Sequence, residues 1–323
     1  MTGDKTVAAS ILIPVFNREH LVGRTIESAL NQTFDDFEVV LVDNASTDNT
    51  WEICQKYSAA DDRIKLFRNE TNIGMVKNWL ACLDKSRGHF SCFLYSDDEL
   101  YPDFLKRTIP CFTREIGLVF CPARIGTSHE KGTLHYQWKE KDSICPSFEF
   151  IEDQLKPGGL HLVSPVCGVF RTRDLKKNTL TEIPSPSLDS FHLHGAGIDQ
   201  LIYLLTSLDY PKVAFISEPL VFLRAHADSY TISDPEGDLW QRYEQGRIWF
   251  SENYLKNNRK ILDKLLCKVW LQTILYNHRW AWPSSVFSRY SFNPHRLNVP
   301  VTVSETVKFF FRRLKRPVLF HRT

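Results

Sequence analysis

Short apolar runs alternate with helical patterns through the first third of the chain. Residues 10–16, 37–42, 63–67 and 90–95 each read as a buried strand, being too short for a core helix. Between the first two, residues 20–31 set Leu21, Thr25, Ile26, Ala29 and Leu30 on one side at helical spacing. Residues 47–58 and Met75–Lys85 continue the pattern as further helices, and Pro102 opens another. Strand–helix alternation of this kind predicts a parallel sheet with helices on both faces. Ligands of such sheets bind beyond the carboxyl ends of the strands. Asn17, Asp43, Arg68 and the acidic stretch 97–99 all fall at those ends.

The middle third changes character. Residues 117–121 and 163–170 read as strands, separated by a loop-rich stretch, 126–147, without a clean period. Ile198–Leu208 is a short helical pattern after Gly195 and Gly197, and 213–215 and 220–223 resemble short strands. From Gly237 onward the chain is helical and aromatic-rich, with Trp240, Tyr243, Trp249, Phe250 and Tyr254 ahead of an apolar helical run over 261–280. No repeat or low-complexity linker marks a sharp boundary.

Composition narrows the class. At 323 residues, 43% apolar and 24% charged, the chain can bury one large core or two modest ones. Its 40 basic residues nearly balance its 38 acidic ones, so charge gives no argument for nucleic acid. The eight cysteines are scattered without C-x-x-C or metal spacing and read as reduced core residues. With no signal-peptide pattern and no run of the ~20 apolar residues that a membrane span needs, a cytoplasmic location is expected.

The sharpest chemical signal is Ser96-Asp97-Asp98-Glu99, adjacent carboxylates at the end of an apolar strand. Desolvating them is costly unless a cation or hydrogen bonds compensate. A divalent cation carrying a diphosphate is a natural partner, since Mg²⁺ takes one or two carboxylates plus phosphate oxygens. A turn capping the next helix uses the same residue types.

Six short segments together resemble the inverting glycosyltransferases of family 2, of the kind that builds bacterial polysaccharide and O-antigen. They are Ile13-Pro14-Val15-Phe16-Asn17-Arg18, Leu41-Val42-Asp43-Asn44-Ala45-Ser46-Thr47-Asp48, Asn72-Ile73-Gly74, Ser96-Asp97-Asp98, Gly197-Ile198-Asp199 and Arg224-Ala225-His226. The resemblance runs through most of residues 10–235. It implies the GT-A fold, a Rossmann-like α/β architecture with a mostly parallel mixed sheet flanked by helices, here with a helical C-terminal extension. Residues 1–115 would form the nucleotide-sugar half, 116–235 the acceptor half, and 236–323 the extension.

The same resemblance assigns roles. Pro14, Phe16, Asn17, Asp43, Arg68, Asn72, Gly74 and Asp97 would contact the nucleotide, with Asp43 accepting the imide N–H of a uracil. Asn17 serves equally as a helix cap, Asp43 as a turn aspartate holding the 44–48 loop, and Arg68 as a solvated surface arginine. Gly74 permits positive φ or close backbone approach, whereas Lys77 and Asn78 read as a solvated helix face. Asp98 would bind Mn²⁺ or Mg²⁺ directly, with His226 completing the shell and Arg224 clamping the diphosphate. The upstream acidic residue common in relatives is replaced by Tyr95 and Ser96. Asp199 would be the base that takes the acceptor hydroxyl proton, or simply a helix N-terminal acid; Asp189 is the fallback.

The tail carries a separate signal. Val307, Phe310, Phe311 and Leu314 repeat at helical spacing after a cap at Ser304, and the last sixteen residues hold six positive charges and no acids. A basic amphipathic helix suits an anionic bilayer, at the inner face of the cell membrane, or docks on its own protein with the arginines in water. The expected activity is therefore metal-dependent, inverting transfer of a sugar from a nucleotide-diphosphate donor, UDP favoured, to a glycan or lipid-linked glycan hydroxyl. Two rivals are weaker: a nucleotidyltransferase would show an N-terminal glycine-rich loop, and a dinucleotide oxidoreductase would show G-x-G-x-x-G. A nucleotide- or carbohydrate-binding module without catalysis remains the alternative of a different class.

Overall fold

The computed structural model describes residues 6–156, 159–160, 164–188, 190–227, 229, 239–256, 258–277 and 282–291. The first four expected strands are present as β1 (Val7–Val15), β2 (Phe37–Asp43), β3 (Ile64–Arg68) and β4 (Gly88–Phe93). Every residue of β2 is buried, which is why its apolar run shows no alternation. The two-residue β5 (Glu99–Leu100) follows, then β6 (Ile116–Phe120), β7 (Ala123–Gly126), β8 (Thr133–His135), β9 (Ser143–Pro146), β10 (Gly168–Arg171), β11 (Lys212–Phe215) and β12 (Val221–Arg224).

The main sheet has the order β3-β2-β1-β4-β10-β6-β11-β9. The pairs β3–β2, β2–β1, β1–β4 and β6–β11 are parallel, while β10 runs antiparallel to both β4 and β6, and β9 to β11. Because β2 lies on one side of β1 and β4 on the other, the chain reverses direction across β1. The crevice beyond the carboxyl ends of β1 and β4 is therefore the switch point at which such sheets bind ligands. The sheet continues from β4 through β10 into β6, so residues before and after 115 share one sheet.

The helices are α1 (Val22–Leu30), α2 (Thr50–Ala60), α3 (Met75–Lys85), α4 (Phe104–Thr108), α5 (Ser147–Leu155), α6 (Thr172–Asn178), the single turn α7 (Phe191–His194), α8 (Ile198–Leu208), α9 (Leu239–Tyr254), α10 (Arg259–Asn277) and α11 (Pro283–Phe287). Helix α1 buries Val22, Thr25, Ile26 and Ala29, the stripe that the spacing predicts. Helix α8 buries all its residues except Leu208, because α5, α6 and α9 enclose it against the sheet.

Two stretches depart from expectation. In the first, 163–170, a 3-10 turn over Pro165–Cys167 precedes a strand that starts only at Gly168. The 126–147 stretch holds β8 and β9, whose residues are mostly exposed or half-buried and so carry no hydrophobic period. Strand β7 pairs with β8 and β12, and β12 with β5, making a second sheet of four short strands beside the crevice. The fallback base Asp189 and the basic tail 304–323 lie outside the described residues. Among the described residues no helix is long and apolar enough to cross a membrane.

Candidate active site

Strand β4 delivers the acidic cluster to the crevice. Trp79 of α3 is buried against Phe93 and stacks on Tyr95, with ring centroids 5.6 and 5.5 Å apart, which sets the path of the chain leaving the strand. A turn then closes with the Asp98 N–H donating to the Tyr95 carbonyl at 2.9 Å. Thr25 of α1 donates to the Asp98 carbonyl at 2.9 Å, and the Arg224 N–H donates to Asp98 Oδ1 at 3.0 Å. Asp98 is thus pinned between α1 and β12 while only 6% exposed. Burial first, then the neighbouring Asp97 charge, push its carboxyl well above the usual range.

The flanking carboxylates are engaged differently. Asp97 Oδ2 lies 2.9 Å from His226 Nε2 and 3.8 Å from Arg18 Nε. Glu99 bridges the Arg224 guanidinium and His129, whose Nε2 is 2.9 Å away. Against the cost of burial, those two partners hold Glu99 below the ordinary glutamate range. Arg224 also donates to the Thr127 carbonyl at 3.1 Å.

The opposite wall comes from the ends of β1, β2 and β3. Pro14, Phe16, Asn72 and Gly74 line the crevice. Asn72 Oδ1 accepts from Asn44 Nδ2 at 2.8 Å and from the Gly74 N–H at 3.0 Å, which shapes the turn entering α3. Gly74 has φ +86°, the positive value that the sequence anticipates there. Asn17, with φ +49°, faces the loop instead: its Oδ1 accepts the Thr47 N–H at 2.9 Å.

Asp43 is fully buried, accepts the Ser46 N–H, and pairs with Arg68 Nε at 3.0 Å. Arg68 in turn donates to the Ser46 carbonyl at 2.9 Å and lies over the Trp51 ring. Both residues brace the 44–48 loop, and neither lines the cavity. Asn78, expected on a solvated face, is buried: it donates to the Val42 carbonyl at 3.1 Å and accepts from Asn69 at 2.9 Å. Lys77 beside it is exposed, as expected.

Asp199 enters from the first turn of α8. Its Oδ1 accepts the Gly197 and Gln200 N–H groups at 3.0 and 2.7 Å, and its Oδ2 accepts the Tyr243 hydroxyl at 2.7 Å. Burial raises its pKa to about 7 even though Tyr243, both backbone donors and Arg247 favour the ionised form. Asp97, Asp98, Arg224 and Asp199 border one cavity of about 540 Å³ together with Phe16, Trp79 and Tyr95.

Arg18, Tyr95, Tyr136 and Tyr243 also line the cavity and were not read from sequence as site residues. Arg18 Nε and Tyr95 Oη are buried there without a hydrogen-bond partner, Arg18 Nε lying 3.8 Å from Asp97 Oδ2. Tyr136 holds φ +63°, strain that concentrates at functional sites. Arg18, directly after Asn17, was within reach of the motif reading; Tyr136 sits in a stretch without a clean period, and Tyr243 in an aromatic helical run that does not mark it as a site residue.

Residues 10–179 match the family model for glycosyl transferase family 2. The chain belongs to that family. A Campylobacter jejuni relative, the GalNAc(5)-diNAcBac-PP-undecaprenol beta-1,3-glucosyltransferase, is 40% identical over 147 residues, 44% of this chain and 47% of its own. The Escherichia coli chondroitin synthase is 36% identical over 109 residues, 34% of this chain and 16% of its own. With the first curated relatives the match spans about a third to a half of their length. Among solved structures, S. aureus TarS 1-349 in complex with UDP-GlcNAc superposes with a TM-score of 0.62 at 20% identity, covering 94% of this chain and 80% of that one. This family 2 member therefore has the GT-A fold with C-terminal helices.

Among the described residues no three His, Cys, Asp or Glu side chains are grouped to cage a metal by themselves. The donor set nevertheless suits Mg²⁺ or Mn²⁺ shared with a ligand. Asp97 and Asp98 supply two carboxylates, Asp98 held above the usual range by burial and by the Asp97 charge, and phosphate oxygens would fill the remaining positions. His226 is directed to Asp97 and would join the shell only by exchanging that bond.

Proposed function

We propose that this family 2 member moves a sugar from a UDP-sugar to a hydroxyl of a glycan or lipid-linked glycan, with inversion at the anomeric carbon. The observation that carries the reading is the shared cavity, in which an Asp97–Asp98 pair at the switch point faces a buried Asp199 with a pKa of about 7. Burial brings the pKa of this carboxyl toward neutral pH, where a carboxylate is basic enough to serve as a general base. It would take the proton from the acceptor hydroxyl as that oxygen attacks the anomeric carbon opposite the leaving diphosphate. One displacement suffices, and no covalent enzyme intermediate forms.

Asp98 would hold Mn²⁺ or Mg²⁺, with Asp97 beside it. A bound cation would supply positive charge against the departing UDP. Arg224, held in place by Glu99 and the Thr127 carbonyl, and Arg18, whose Nε lies 3.8 Å from Asp97, add fixed positive charge to the cavity lining. Phe16, 37% exposed at the end of β1, offers a flat apolar face for a base or sugar ring. UDP is favoured because the TarS structure holds UDP-GlcNAc. The undecaprenol-linked substrate named for the C. jejuni relative, together with the basic tail, favours a lipid-linked acceptor at a membrane surface.

The test pairs binding with turnover. Thermal shift with UDP and Mn²⁺ should stabilise wild type and Asp199→Asn but not Asp98→Asn. UDP release from a panel of UDP-hexoses should fall at least about 10²-fold in Asp199→Asn. Nucleotide stabilisation without release from any donor would favour the non-catalytic module; undiminished release by Asp199→Asn would remove Asp199 from the mechanism.

A further inference from the structure

The matched family segment ends at residue 179, so α8 with Asp199 and the C-terminal helix α9 both lie beyond it, and α9 reaches the candidate base. Its docking depends on two glycines. At Gly197, whose φ is +86°, a Cβ would fall 2.6 Å from the Arg242 carbonyl oxygen on α9. At Gly246, on α9 itself, a Cβ would meet the Gly197 carbonyl oxygen at 3.2 Å. The two backbones approach this closely only because both positions lack side chains. One consequence is that Tyr243 reaches over the first turn of α8 and donates to Asp199 Oδ2 at 2.7 Å. A second is that Arg247, one turn further on, donates from Nε to the Gln200 side chain at 2.9 Å. Glu244 of α9 accepts from Arg247 Nη1 at 2.6 Å and also from Lys268 of α10.

We infer that Tyr243 is a positioning residue for Asp199, so that the C-terminal helical unit completes the base rather than merely covering the GT-A sheet. This rests on the reading of Asp199 as the base. With both Oδ1 sites taken by backbone N–H groups, only Oδ2 is left to accept a substrate proton. The Tyr243 hydroxyl occupies one lone pair of Oδ2 and directs the other to the cavity. The bond also favours the ionised carboxylate, and it opposes the rise that burial imposes. Other groups around the base come from each packed element: Arg247 on α9, Tyr95 and Asp98 after β4, Tyr136 from the second sheet's loop, and His194 of α7. Arg242 turns away to the Phe191 ring. Only Tyr243 donates a side-chain hydrogen bond to Asp199 among the described residues.

The deciding measurement is the titration of the Asp199 side-chain carboxyl by ¹³C NMR on the full chain labelled at aspartate. The resonance is assigned by its loss in Asp199→Asn. Tyr243→Phe keeps the ring and deletes one hydroxyl, so the midpoint should rise from about 7 by about one pH unit. The acid limb of UDP release from UDP-GlcNAc, or from whichever UDP-hexose in the panel turns over, should rise by the same interval. A lower melting temperature with an unmoved carboxyl titration would make Tyr243 structural only and overturn the inference. A moved titration with an unmoved release profile would also overturn it, since the tyrosine would then act on a carboxylate that is not the base. Full activity in Asp199→Asn would overturn the underlying reading separately.

Discussion

Replacing Asp199 by asparagine should stabilise the ligand-free protein while disabling it. Burial raises this carboxyl from the ordinary 3.8 to about 7, which at about 1.36 kcal/mol per pH unit is worth about 4 kcal/mol. The folded state binds the proton across that interval and the unfolded chain does not, so stability falls as pH rises from about 4 to 7 and is level above. Asparagine removes the charge and keeps the acceptor for the Gly197 and Gln200 N–H groups. Its amide then faces Tyr243 Oη, which turns to accept. If relaxation recovers half of the cost, about 2 kcal/mol remains, a gain of about 3 °C in melting temperature at pH 8.5. Differential scanning calorimetry from pH 5 to 8.5 reads both the gain and the flattening of the pH dependence. An unchanged slope, or a variant less stable than wild type at pH 8.5, would refute the argument that burial dominates at this carboxylate.

Gly197→Ala should lower stability by about 2 kcal/mol or more, because it combines a positive φ with a backbone clash against α9; chemical denaturation measures it. Glu38→Gln removes a buried charge that accepts from Ser10, the Arg87 N–H and Arg87 Nε, at the opposite ends of the strands from the cavity. Stability should fall by about 2 kcal/mol with nucleotide affinity unchanged, read by denaturation alongside calorimetric titration with UDP and Mn²⁺. Asn78→Ala breaks the bonds to Val42 and Asn69 beneath the Asn72 turn. It should cost about 1–3 kcal/mol and also weaken UDP binding, and equal affinity would show the turn to be independent of it. Deleting residues 304–323 should abolish co-sedimentation with phosphatidylglycerol vesicles at low salt, and undiminished sedimentation would exclude the tail as the anchor.

What could be read before folding was whatever local physics decides. The β1–α1–β2–α2–β3–α3–β4 succession was legible because each element carries its own period, and Met75–Lys85 and Ile198–Leu208 were read to the residue. The acidic turn was legible because adjacent carboxylates after an apolar strand demand compensation. Strands β8 and β9 were not, since they are held by neighbours from β7 and β11 rather than by an apolar face of their own.

The same division runs through the site. The resemblance to family 2 singled out Asp98, Asp199 and Arg224 before folding, and the fold brings all three to one cavity. Only the tertiary structure decided that Asn78 is a buried brace, that Asp43 and Arg68 support the 44–48 loop, and that Asn17 caps it. Only it brought Tyr243 from α9 onto Asp199, 44 positions away. A hydrogen bond of that span leaves no trace in local pattern. It exists because two glycines let α8 and α9 pack backbone to backbone, a close approach that no residue specifies alone.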